Sequence, residues 1–174
     1  MEGENEMSFK VYSEAFRDGK ILEKYGAKSG NCEEGIPQLS FPLSWEGAPE
    51  GTKSFALVFI DYDNCIGEGI IWLHWLAANI PAFYTGLAED ASRMDQSFVQ
   101  GRTTFGCSVG YENKLCWRYG GPAPEDRPHE YELALYALSE AVDLADGYYY
   151  NEFRKAIEGK VLGVAELKGV YPNG

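Results

Sequence analysis

The stretch Ser54-Phe-Ala-Leu-Val-Phe-Ile60 is apolar without interruption and follows the turn-like Pro49-Glu-Gly-Thr52. So short a run, with no polar alternation, reads as a strand buried on both faces. Such a strand needs covering material on either side, and it delivers Asp61 and Asp63 at its end. Gly69 to Ile80 is the next apolar segment. Period-two alternation puts Trp72, His74, Leu76 and Ala78 on one face and Leu73, Trp75 and Ala77 on the other. Glu130 to Leu138 alternates again and predicts a strand that begins directly after His129.

Helical spacing in Tyr149, Phe153, Ala156 and Ile157 predicts a helix over 149–158, stopped by Gly159, with a final strand over 160–167. A first strand is predicted over Met7 to Tyr12, then turn-dense wrapping from Gly26 to Ser40. From Pro81 to Pro128 the chain is a long turn-rich connection, far beyond the usual length of about four to six residues, and its aromatic content argues for order. Twelve Tyr, nine Phe, four Trp, 20 Gly and eight Pro favour short strands joined by turns. The expectation is a mainly β single domain spanning residues 1–174, long enough to bury one sizeable core.

A net charge of −12 repels phosphate backbones and anionic membrane surfaces, which argues against nucleic acid as a partner. A pocket for a small anion in such a chain must rely on donors within hydrogen-bond reach. Met1 to Phe16 lacks a positive cluster followed by an apolar run, and nowhere do about eighteen apolar residues run together, so the expected location is cytoplasmic without membrane insertion. Cys32, Cys65, Cys107 and Cys116 have no CxxC spacing and read as free thiols in a reducing compartment.

The chain has only two histidines, and each stands beside strand-ending residues suited to a site: Asp61 and Asp63 near one, Gly120-Gly121-Pro122 near the other. Imidazole N–H groups donate to phosphate oxygens, a carboxylate orients the ring, and glycines let backbone N–H groups approach a ligand. The same residues also fit a core histidine satisfied by a carboxylate, aspartates that cap a turn, and glycines that bend the chain. Two His and one or two Asp suit zinc or iron by type, but no pair repeats at a helical or hairpin interval. Gly106-Cys107-Ser108-Val109-Gly110 matches G-x-S-x-G, with Asp126 and His129 following. A nucleophile elbow needs a buried strand before it and a helix after it, and the flanks here are polar and turn-rich.

Taken in order, Leu39-Ser-Phe-Pro-Leu-Ser-Trp45, Asp61-Tyr-Asp63, Trp72-Leu-His74-Trp75, Asn79-Ile-Pro-Ala82, Tyr119-Gly-Gly-Pro122-Ala-Pro124, His129-Glu-Tyr131 and Gly159-Lys-Val-Leu-Gly-Val-Ala-Glu-Leu167 resemble the phosphatidylethanolamine-binding protein family, in its bacterial Raf kinase inhibitor-like branch. The resemblance covers nearly the whole chain. It implies an antiparallel β-sandwich-like fold with a few short helices and an anion pocket, with no cofactor, metal or catalytic residue. The implied site is Asp61, Asp63, Trp72, His74, Gly120, Gly121, Pro122, His129 and Tyr131. In it His74 and His129 are donors to the anion, Asp61 a ring-orienting acceptor, the backbone around Gly120 and Gly121 a further donor, and Tyr131 a hydroxyl donor.

The chain departs from the family pattern. The usual D-P-D-A-P reads Asp61-Tyr-Asp-Asn-Cys65, and H-R-Y reads His129-Glu130-Tyr131, replacing a positive charge with a negative one. The segment 107–118 is longer than the family's simplest form, and the C-terminal helix of animal members looks absent. The implied function is non-enzymatic binding of a small phosphoryl-type anion or a phosphorylated or acidic segment of a partner, with a homodimer implied by bacterial relatives. Two alternatives are a kinase or protease inhibitor acting through surface loops such as 83–118, and a weak or metal-dependent hydrolase using the same residues.

Overall fold

Short strands separated by tight turns give the chain its architecture. The computed structural model describes residues 8–174. The strands are β1 (Lys10–Tyr12), β2 (Phe16–Arg17), β3 (Lys20–Ile21), β4 (Cys32–Glu33), β5 (Ile36–Pro37), β6 (Leu43–Glu46), β7 (Ser54–Asp61), β8 (Trp72–Pro81), β9 (Gly86–Leu87), β10 (Val99–Gln100), β11 (His129–Leu138) and β12 (Val161–Tyr171). Short helices are α1 (Asn64–Glu68), α2 (Ala91–Met94), α3 (Gly106–Val109) and α4 (Tyr150–Ile157). Met7, where the first strand was expected to begin, lies outside the described residues.

A seven-stranded sheet runs β10-β8-β7-β11-β12-β3-β2, a three-stranded sheet runs β1-β6-β9, and β4-β5 form a small ribbon. The fold is mainly β, as expected, with one detail corrected: β12 pairs with β3 in parallel at Val170 and Lys20, so the large sheet is mixed.

Strand β7 lies between β8 and β11, and all eight of its residues are buried. Phe55, Leu57 and Phe59 enter the core shared with Val11, Leu43 and Trp45 of the smaller sheet. Ala56, Val58 and Ile60 pack on the opposite face with Leu138 of β11, with Tyr148 and with Phe153 of α4. Cover on both faces is why the run shows no alternation, and each large side chain so buried contributes about 1.5–3 kcal/mol. Phe41 is the hub of the aromatic core. It meets Phe59 edge-on at 5.1 Å, Phe16 at 5.2 Å and Tyr119 at 5.5 Å between ring centroids, an arrangement that aligns ring edges with ring faces.

The simple alternation read along β8 fails for a specific reason. Phe59 pairs with Trp75 and Ile60 with Leu73, so the ladder slips at His74. Two residues of β8 there oppose one of β7, a β-bulge, and the inside-outside pattern resets. Trp75 and Ala77 face the core shared with the smaller sheet, whereas Leu76 and Ala78 face the α4 side and do not share a face with His74. The strand also starts at Trp72 rather than Gly69, because α1 occupies Asn64–Glu68 and ends at Gly69, whose φ of 75° a side chain would resist.

The strand after His129, the helix before Gly159 and the final strand are present, at His129–Leu138, Tyr150–Ile157 and Val161–Tyr171. Helix α4 starts with the Glu152 carboxylate accepting from the Tyr149 N–H at 2.7 Å. The long connection from 81 to 128 is ordered by β9, α2, β10, α3 and a 3₁₀ turn at Lys114–Trp117. All four cysteines are free, with Cys116 buried and the others exposed. No helix among the described residues is long and apolar enough to cross a membrane.

Candidate functional site

The apolar run of β7 carries Asp61 to the end of the sheet, and β11, paired with it, begins at His129. Both residues are 3% exposed. The His129 Nδ1–H donates to Asp61 Oδ2 at 2.7 Å, and its Nε2–H donates to Asp126 Oδ1 at 2.8 Å. Burial alone would push the ring towards its neutral form, but the hydrogen bonds to Asp61 and Asp126 outweigh it and raise the pKa above the usual value. Each ring nitrogen of His129 thus faces a carboxylate oxygen, an arrangement that favours the protonated ring.

The bulge in β8 turns His74 into the same region. Its Nδ1–H donates to the Gly120 carbonyl at 2.6 Å, while the Gly120 N–H donates back to the His74 carbonyl at 2.8 Å. The ring is wedged edge-on against Tyr131 at 5.1 Å, Phe105 at 5.5 Å and Phe59 at 5.7 Å. Burial in this aromatic setting, only partly offset by the Gly120 carbonyl and Asp61, lowers the pKa from 6.5 to about 4. His74 is therefore neutral near pH 7 with its proton on Nδ1, which leaves Nε2 as a lone-pair acceptor without a protein partner among the described residues.

Both imidazoles line a cavity of about 540 Å³. Its wall is Trp72, Phe105, Tyr131 and Ile36, and its remaining lining includes Glu34, Glu68, Glu125 and Asp126, with no Lys or Arg. Burial and the nearby Asp61 charge hold the Tyr131 hydroxyl far above its ordinary pKa, so it stays a neutral donor. The described residues contain no group of three or more His, Cys, Asp and Glu that could hold a metal ion. Ser108 of the G-x-S-x-G stretch lines the cavity, but both nitrogens of His129 are already committed to carboxylates. His129 is therefore not free to take its proton.

Of the residues expected in the site, Asp61, Trp72, His74, His129 and Tyr131 line the cavity together, while Asp63, Gly120, Gly121 and Pro122 do not. Asp61 and Asp63 diverge: Asp61 orients His129 rather than His74, and Asp63 accepts from the Glu130 N–H at 2.9 Å. The glycine N–H groups expected as anion donors are consumed by the backbone, Gly120 on His74 and Gly121 on the Pro37 carbonyl at 2.8 Å. Their small size serves packing instead. A side chain at Gly121 would collide with the Tyr25 carbonyl, and one at Gly120 with the Phe105 ring. The 107–118 segment contributes Ser108, with Phe105 just before it.

Asp126, named in the sequence only beside the rejected G-x-S-x-G stretch, is a cavity residue not expected in the anion site. It stands three positions before His129, a spacing that a turn into a strand brings together, but nothing in a lone Asp marks it. Glu130, the departure from the family's Arg, is exposed and outside the cavity lining.

Comparison with known proteins bears on what this cavity is. The sequence pattern of the family described as phosphatidylethanolamine-binding protein matches residues 12–172. A UPF0098 protein of Methanothermobacter thermautotrophicus is 37% identical over 164 residues, covering 92% of this chain and 96% of its own. The crystal structure of Escherichia coli YbcL, described as a member of the mammalian PEBP family, superposes with a TM-score of 0.77 at 31% identity, covering 96% of this chain and 99% of its own. The PEBP homologue CT736 of Chlamydia trachomatis superposes with a TM-score of 0.79 at 28% identity and the same coverage. With a family pattern spanning nearly the whole length, and a relative above a third identical over almost all of it, this chain belongs to the phosphatidylethanolamine-binding protein family.

Proposed function

We propose that this chain is a non-enzymatic binding protein that holds a small phosphoryl-type anion between His129 and His74. The observation that carries the reading is the buried Asp61–His129 pair, which favours a protonated imidazole at one wall of a cavity that has no Lys or Arg. A phosphoryl oxygen accepts from His129 Nε2–H. Neutral His74 asks for the opposite, a donor, and a singly protonated phosphoryl group supplies one through its P–OH. The pair of imidazoles, one a donor and one an acceptor, therefore suits a monoanion better than a dianion. Trp72 and Phe105, packed edge-on at 5.3 Å, shape the apolar side against which the rest of the ligand lies.

Calorimetric titration with inorganic phosphate and with O-phosphorylethanolamine tests this, beside a His74→Ala, His129→Ala double variant and with sulfate as a dianion that offers no O–H. Saturable phosphate binding, weaker sulfate binding and loss of both in the folded double variant are expected. Absence of binding in the unaltered protein sinks the reading.

One observation favours a second reading, inhibition of a kinase or protease through surface loops. Phe83 and Met94, on the connection after β8, are 82% and 75% exposed, and exposed apolar side chains of this kind serve as anchors in partner pockets. In that case inhibition survives the double histidine variant and is lost in Phe83→Ser.

A further inference from the structure

Resting on the anion-site reading, we propose that Asp126 is a built-in competitor for that site: its carboxylate occupies the outward N–H of His129, and a ligand binds by exchanging with it. The placement is direct. Asp126 Oδ1 accepts from His129 Nε2–H at 2.8 Å, and the residue lines the cavity. A phosphoryl oxygen that takes this N–H must take it from Asp126, because the other ring proton is sealed against buried Asp61.

Charge makes exchange the only economical route. With His129 protonated, Asp61, His129 and Asp126 together carry one net negative charge, Glu34, Glu68 and Glu125 add further carboxylates, and no Lys or Arg lines the cavity. Adding an anion while Asp126 stays would bring like charges to within about 4 Å, a repulsion of roughly 4 kcal/mol at the edge of a protein. Replacing Asp126 by a monoanion leaves the local charge unchanged.

The fold supplies somewhere for the displaced carboxylate to go. Its second oxygen, Oδ2, already accepts from Arg127 at 2.6 Å. Arg127 in turn donates to the Asp63 carbonyl at 3.3 Å, which ties the guanidinium to the loop after β7 rather than to the cavity. Asp126 is half-exposed, so it can swing outward on Arg127 without opening the core. The Asp126 end of its pair with His129 is 46% exposed, so water screens that contact and can hydrate the carboxylate as it leaves, which lowers what a ligand must overcome. The residue thereby limits affinity and biases the site towards singly charged anions, which replace it one for one.

The test is calorimetric titration of inorganic phosphate into the full chain and into Asp126→Asn and Asp126→Ala variants, each checked for an unchanged thermal transition. Phosphate is expected to bind about fivefold to tenfold tighter to Asp126→Ala than to the unaltered protein. Asp126→Asn, which keeps an acceptor oxygen but drops the charge, is expected to fall between. If the unaltered chain binds phosphate and Asp126→Ala binds it equally or more weakly, the exchange is wrong while the anion site stands. If none of the three binds, the anion site falls, and the exchange falls with it.

Discussion

His129 Nδ1 lies 2.7 Å from the Asp61 carboxylate, and both side chains are only 4% exposed. A buried ion pair of this kind adds little net stability compared with an apolar pair, but removing one partner strands the other charge. Asp61→Asn is therefore expected to cost about 3 kcal/mol in urea denaturation. A loss below about 1 kcal/mol would mean that the imidazolium is satisfied without Asp61, against the account of the site.

The two histidines give opposite pH dependences. His74 resists protonation in the native state, with its pKa lowered from 6.5 to about 4 by burial. The unfolded chain takes up the proton that the native protein refuses, so stability falls as pH drops from 6.5 towards 4, by at most roughly 3 kcal/mol. His129 has its pKa raised above 6.5, so its stabilising contribution is complete below 6.5 and is lost as pH rises through the native value. Urea midpoints measured against pH are expected to peak near 6.5. His74→Gln flattens the acid limb and His129→Gln the alkaline one. A profile that does not fall on the acid side would contradict the His74 assignment, and one that keeps rising above 6.5 would contradict the His129 assignment.

Gly121 allows a close approach of two backbone segments. A methyl group there meets the Tyr25 carbonyl and also presses on Pro37 Cβ at 3.0 Å, with backbone rather than a flexible side chain in the way. Gly121→Ala is expected to cost about 3 kcal/mol in urea denaturation and to loosen the Tyr119-Gly120 stretch that holds His74. If the variant keeps its stability and its phosphate affinity, the segment is not as tightly placed as described.

Much of this was legible in the residues. Ser54 to Ile60 announced a doubly covered strand because burial on both faces removes the need for polar positions, and β11 showed its alternation because one face is half-exposed. The bulge at His74 was not legible, since a register slip depends on the partner strand and leaves no mark in the alternation of β8 itself. It is nonetheless what lets His74 and Trp75 both turn inward. The histidines could be found by their rarity, and the family resemblance gathered Asp61, Trp72 and Tyr131 around them. The division of labour could not be read. Which carboxylate meets which imidazole is decided by a few ångströms of loop geometry, and Asp126 reaches His129 through a turn rich in Pro and charged residues whose path the sequence does not specify. The glycines were marked by position, but whether their N–H groups face a ligand or the backbone is a matter of pairing.

The most direct test of the central claim is nitrogen-15 NMR of the two imidazoles near neutral pH, before and after addition of inorganic phosphate. The account predicts a doubly protonated His129 and a His74 protonated on Nδ1 alone, with phosphate moving the Nε2 signals of both rings. A neutral His129, a charged His74, or Nε2 signals unmoved by saturating phosphate would contradict it.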